Sequence, residues 1–305
     1  MTPIGFFATR AVHARAGNRG QATALFLVVA STLLSVVFAA VALNHHYLGK
    51  IASADAVDSI ALSAATWEAR GLNLIAALND GVGQCIRVIR WTCAVWATLA
   101  VAAAFGVGVP AFLTFTRQAR RLVSGYWNIA HLLVSWSDKI RKATPFLVTV
   151  ETASLAKKLH VTGTLSPWNP RGPHDGQNTL ELHLAPGEPI HLMEAIAPIT
   201  GALNRLKRIR FMKDATKAVV SSLEGALRGV LGDAKGPIRM LEPESDFRER
   251  QHVGFAGFQT RPTFPIPLLG DGESRRYPAF AEAEPYGGGT AEMTWRSRLT
   301  ERSTP

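Results

Sequence analysis

The chain has 305 residues, 47% apolar and only 18% charged, against roughly 25% charged in ordinary soluble domains. That excludes wholesale disorder, because too much is apolar, and a single compact water-soluble domain, because two long stretches carry no charge while the last 65 residues are rich in charge, Pro and Gly. The formal net charge is +10, and much of the excess flanks the uncharged stretches, which favours anionic lipid as a partner and disfavours nucleic acid.

Residues 1–20 carry Arg10, Arg15 and Arg19 and no acid, a basic cytoplasmic tail by the positive-inside rule. Residues 22–43 follow as ATALFLVVASTLLSVVFAAVAL, 22 residues without a charge. A helix of that length reaches about 33 Å, enough for a bilayer core of roughly 30 Å. A cleavable secretory signal would have a shorter apolar core, so a retained anchor is expected.

Between the two uncharged stretches, Lys50, Arg70, Arg87 and Arg90 are balanced by Asp55, Asp58, Glu68 and Asp80. Residues 51–70 read IASADAVDSIALSAATWEAR, rich in the strongest helix former, with Asp55, Asp58 and Glu68 expected to keep one side wet. The first helix is expected to continue here, with a break near Gly49 and its neighbouring histidines and an end at Gly71. Residues 72–78 start another apolar helix, interrupted by Asn79-Asp80-Gly81. The small side chains of Ala54, Ala61 and Ala65 suit close packing on another helix; an ordinary solvated helix fits the composition equally well.

Residues 18–80 resemble the N-terminal region of TadG-like (TadE/TadG-type) Flp-pilus assembly membrane proteins. Those proteins share a basic tail, a Gly-Gln-x-x-small start, one apolar span and an Ala-rich helix with a D-A-x-x-x-A-L-x-x-A pattern. Here the start is Gly20-Gln21-Ala22-Thr23-Ala24, and the helix carries Asp55-Ala56, Ala61, Leu62 and Ala65. The closing GTAEMTWRSRL (289–299) resembles a Trp-x-x-Arg-Leu ending of some members. The resemblance implies a processing boundary between Gly20 and Gln21 and a role in assembling a pilus or secretion apparatus. Where related members have a Glu five residues after the boundary glycine, this chain has Leu25.

The second uncharged stretch, residues 91–115, reads WTCAVWATLAVAAAFGVGVPAFLTF. Trp91 and Trp96 sit near one end as interfacial anchors would, and a membrane helix tolerates Gly106, Gly108 and Pro110. A second transmembrane helix is expected, with a buried core helix as the alternative. After it come Arg117, Arg120, Arg121, Lys139, Arg141 and Lys142 against Asp138 alone, so both ends of the chain are expected in the cytoplasm and the intervening loop outside. Cys85 and Cys93, eight residues apart, would lie about 12 Å apart on a helix, beyond disulfide reach.

In residues 116–142, Leu122, Tyr126, Ile129, Leu132, Leu133, Trp136 and Ile140 recur at steps of three and four, the pattern of an amphipathic helix. It suits either a membrane surface or the chain's own soluble part. Residues 161–178 read as a Pro/Gly/Asn-rich loop, 179–184 and 190–192 as a small hairpin, and 194–231 as helix. Arg205, Lys207, Arg208, Arg210 and Lys213 make a basic face, solvated by default. From Lys235 the chain lacks periodicity, apart from short strands expected at 252–258 and near 293–299.

No H-E-x-x-H, paired Cys/His spacing, G-x-S-x-G or phosphate loop occurs. His183 and His191 could meet across the expected hairpin, but alternation on an exposed strand accounts for them, so no catalytic residue, metal or cofactor is assigned. The expected molecule is a mainly α membrane protein of the bacterial inner (cytoplasmic) membrane. It has two transmembrane helices, an Ala-rich helical extension, an amphipathic region (116–160), a small α+β region (161–234) and a largely disordered tail (235–305). Its expected role is non-enzymatic, acting through helix–helix packing with the bilayer, with other membrane or pilus-assembly proteins, or with a second copy. The alternatives are a two-span protein whose basic cytoplasmic region tethers anionic lipid or a partner protein, and a membrane-tethered enzyme.

Overall fold

The computed structural model describes residues 6–166, 182–206, 217–221, 225, 236–263 and 274–300. One helix dominates. α1 runs unbroken over Phe6–Ala104, 99 residues or about 150 Å of helix. No proline occurs between Pro3 and Pro110, and Ala, Leu and charged residues fill the interior, so nothing in the backbone chemistry stops it. α2 (Val109–Lys158) folds back beside it, forming a long antiparallel hairpin.

The breaks expected near Gly49, Gly71 and Asn79-Asp80-Gly81 are not there. These glycines serve close approach rather than freedom of the backbone. A Cβ on Gly71 would lie 2.5 Å from Thr144 Oγ1 of α2, and one on Gly49 would lie 2.7 Å from the Tyr277 ring. Asn79 stays helical and uses its side chain as a clamp, described below.

The second expected transmembrane helix is also corrected. Residues 91–115 straddle the turn of the hairpin: α1 ends at Ala104, and Gly106 (φ 82°) and Gly108 (φ 71°) take left-handed conformations open to glycine. Pro110 then occupies the first turn of α2, where its fixed φ and missing N–H cost nothing. Cys93, Trp96 and Ala97 of α1 and Ala119, Val123 and Trp127 of α2 are buried in one core cluster. Both cysteines remain free and buried.

The last part of the chain is more ordered than its composition suggests. A four-stranded antiparallel sheet, in the order β1-β4-β5-β6, consists of β1 (Val161–Ser166), β4 (Val253–Pro262), β5 (Ser274–Tyr286) and β6 (Arg296–Leu299). A second pair joins β2 (Leu184–Pro186) to β3 (Leu241–Pro243). The strands expected at 252–258 and 293–299 are β4 and β6. The disordered tail is otherwise overturned by β3 and β5, and β1 falls where a loop was expected. The hairpin expected between 179–184 and 190–192 does not form: β2 pairs with β3, Ile190 bridges Ile238, and Leu192 opens α3 (Leu192–Ala195). Of the helix expected over 194–231, α4 (Ala197–Leu206) and helical residues 217–221 are described; most of the basic face, from Lys207 to Lys213, lies outside the described residues. A short α5 (Phe247–Arg250) precedes β4.

The sheet packs on the hairpin through small side chains. Tyr277, Ala281, Ala283 and Pro285 alternate inward along β5. Ala281 and Ala283, with Phe255 and Val161, cover Ala56, Val57, Ile60, Ala61 and Ala65 of α1 and Ala156 of α2. Alanine faces alanine, so helix and sheet approach closely.

Candidate functional site

Three features of the structure are candidates for function, two of them on α1. The first is its bare segment. Among the described residues, the 18-residue window from this part of α1 with mean hydropathy 2.6 is 0% buried within the protein, and the helix is long and apolar enough to cross a membrane. Leu25, Phe26, Leu33 and Val36 are all more than half exposed. Ser31, Thr32 and Ser35 return their hydroxyl protons to carbonyls three or four residues back, so each polar side chain is satisfied within the helix. Such a surface is costly in water and fits hydrocarbon.

The packed body begins just beyond this segment. His46 meets the Tyr277 ring with centroids 5.3 Å apart, and the His45 ring lies 3.1 Å from the Pro262 carbonyl oxygen. Burial, with Arg275 and Lys50 nearby, holds the His46 imidazole below its usual pKa. Pro262 of β4 and Tyr277 of β5 therefore sit beside the segment expected in the membrane.

The second feature is a polar seam. Ser53 Oγ donates to the Tyr277 carbonyl (2.6 Å), and the Thr66 and Ser297 hydroxyls are 2.8 Å apart. Asn73 donates to the Trp295 carbonyl and accepts from its N–H, both at 3.0 Å. Asn79 Nδ2 donates to the carbonyls of Leu241 and Thr290, each at 2.8 Å. Arg90 Nε donates to the Ala195 carbonyl at 2.7 Å. Polar side chains along α1 thus satisfy the backbone of the C-terminal segments and fix their register on the helix.

Within this seam Glu68 is fully buried. Neither carboxylate oxygen makes a hydrogen bond of good geometry, and nor does Nε2 of Gln251, the side chain that faces it. Burial pushes the carboxyl from the ordinary 4.5 to about 8, against the smaller opposing pull of Gln251. Gln251 Oε1 accepts from the His183 backbone N–H at 3.0 Å. Nearby, His252 Nδ1 lies 3.6 Å from Glu282 and 3.4 Å from Glu284. Burial raises the Glu282 pKa, and the Glu284 charge adds to that while His252 opposes it.

The third feature is an open cleft of about 620 Å³ lined by Glu244, Phe247, Glu284, Trp295 and Arg298, among others. Its carboxylates are engaged: Arg298 Nε donates to Glu284 at 2.7 Å and Arg250 to Glu244 at 3.1 Å. Among the described residues, no group of three or more His, Cys, Asp or Glu side chains could hold a metal ion. His183 and His191 are not brought together across a hairpin; His191 instead donates its backbone N–H to Glu194, opening α3.

The residues singled out from sequence are dispersed. Gly20 and Gln21 lie inside α1, which continues through them. Ala61 and Ala65 are fully buried, but beneath the chain's own sheet and α2; Ala54 is half-buried. The apolar stripe of 116–142 is split: Tyr126, Leu133 and Ile140 pack against core clusters, whereas Leu122, Ile129, Leu132 and Trp136 face outward and Ala119, Val123, Trp127 and Ala130 form the buried centre of the hairpin interface. The wet side expected for Glu68 is corrected, since it is fully buried, and Asn79, expected to interrupt a helix, is a buried clamp within one; sequence reasoning passed over Asn73 and Gln251.

Compared with protein-family models, with curated proteins and with solved structures, the chain matches none.

Proposed function

We propose that the protein is a non-enzymatic, membrane-anchored component of an assembly or secretion apparatus of the Tad/Flp type in a bacterial inner membrane. Residues 22–43 cross the bilayer, and the hairpin with its sheet stands on one side as a stiff post. The observation that carries this reading is the bare apolar segment joined without a break to a packed helical body. The resemblance over residues 18–80 supplies the apparatus.

The contact surface differs from the one the Ala-rich stripe suggests, because Ala61 and Ala65 are already covered. Partner subunits instead meet the span and the outward stripe of α2, where Ile129, Leu132, Trp136, Leu147 and Val150 are exposed at helical spacing. Copies anchored by the same span all point the same way, so their α2 helices can run side by side.

Purification of the tagged protein from detergent-solubilised membranes tests this. Pilus-assembly or secretion components should accompany the native protein and be depleted from Trp136→Ser. Companions of neither kind would overturn the reading.

A further inference from the structure

We propose that the far end of the hairpin, residues 101–113, is a lipid-docking surface that enters the facing leaflet of a second, anionic bilayer. The exposed large side chains there are apolar on both sides and on the turn: Phe105 just past α1, Val107 in the turn (66% exposed), and Val109 and Leu113 (55%) on α2. Bare residues spread over the turn and both its sides suit a surrounding solvent better than a partner that covers one face.

Charge and depth both point to lipid. Residues 81–137 contain no Asp or Glu, and the first charges on α2 are Arg117, Arg120 and Arg121, all exposed. Arg117 lies about 12 Å along α2 from its start and Arg121 about 18 Å. The hydrocarbon of one leaflet is about 15 Å thick, half of a bilayer core. With the tip fully inserted, the arginines therefore reach the headgroup layer, where anionic phosphates attract them. Trp91, 69% exposed, lies about 20 Å back along α1, within the interfacial region that indole rings favour. A second copy meeting tip to tip would set these arginine clusters against each other with no acid to offset them.

About 90 Å of unbroken helix separates Leu43 from the turn, so the tip meets a different membrane from the one holding residues 22–43. This bridging geometry rests on the anchor reading of the previous subsection; lipid docking by the tip does not.

The full-length protein is reconstituted into phosphatidylcholine vesicles. These are immobilised and offered protein-free fluorescent vesicles, with or without phosphatidylglycerol. The expected result is capture of the phosphatidylglycerol vesicles and little capture of neutral ones. Arg117→Gln, Arg120→Gln and Arg121→Gln combined should lower capture by about tenfold or more. Val107→Asp with Leu113→Asp, at exposed positions, should abolish it without changing the circular dichroism melt. No capture by the native protein, capture only by vesicles that also carry the protein, or capture indifferent to both variants would each overturn the proposal. Flotation of the protein with its own vesicles reads the anchor separately: protein that floats but captures nothing overturns the tip and leaves the anchor standing.

Discussion

Residues 22–43 and 91–115 are both long, uncharged and rich in Ala, Val and Leu, yet the first is bare along its length and the second is folded back on itself. What separates them is backbone chemistry. The first has neither Gly nor Pro, so nothing interrupts the helix there. In the second, Gly106 and Gly108 supply two left-handed residues and Pro110 a ready helix start, enough to reverse the chain in four residues. Its inward face then finds cover in Ala119, Val123 and Trp127. Uncharged length alone does not make a long bare apolar helix; length without a turn signal is the better criterion.

The largest effect should come from charging the first stretch. Each Arg at a span centre costs about 3 kcal/mol, so Leu33→Arg with Val36→Arg costs about 6 kcal/mol of insertion. After alkaline carbonate extraction, which strips protein docked only at a membrane surface, the double variant should leave the membrane pellet and appear in the supernatant. Val107→Arg, in the second stretch, should leave pelleting unchanged.

Next comes Glu68, in the packed body between the two. Its folded pKa is raised, so the stability held by the protonated form is complete below 4.5 and is lost as pH rises through about 8. The loss is on the order of a few kcal/mol. Thermal melts of the detergent-solubilised protein should fall across that window, and Glu68→Gln should flatten the trend. A native melt independent of pH would contradict the burial of this carboxylate.

Glycine substitutions sharpen the comparison further. Gly71→Leu must displace Thr144 and should destabilise the hairpin by about 1–3 kcal/mol in denaturant titrations. Gly125→Ala on α2 meets nothing within 4 Å and should stabilise it by about 0.5–1 kcal/mol. The smallest effect on stability belongs to Trp136→Ser on the outward stripe, within about 0.5 kcal/mol, even as its companions are lost.

Part of this fold is legible in the sequence. The bare span follows from hydropathy and length, and the strand at 252–258 from its β-prone residues. β5 escaped because its inward positions include Ala281 and Ala283, poor strand formers whose value lies in what they touch. The Leu and Trp stripe of α2 misled for the opposite reason. Large apolar residues usually mark the buried face, but here Ile86, Ile89 and Trp96 of α1 fill the interface from their own side, alanines suffice at 119 and 130 of α2, and Leu132 and Trp136 remain outside. Gly49 and Gly71 read as helix ends because local propensity cannot register a ring or helix approaching from more than seventy residues away. The Glu68–Gln251 pair was invisible for the same reason: it joins residues far apart in the chain.

One measurement addresses directly whether only the first stretch spans. Arg70→Cys and Met293→Cys place single exposed thiols on α1 and ahead of β6, while native Cys85 and Cys93 stay buried. Whole cells are treated with a membrane-impermeant maleimide, before and after permeabilisation. With residues 22–43 as the sole span, the hairpin and the sheet would share one side of the membrane, so both thiols should label together or be protected together. One labelled and the other protected would mean that residues 91–115 cross the bilayer after all.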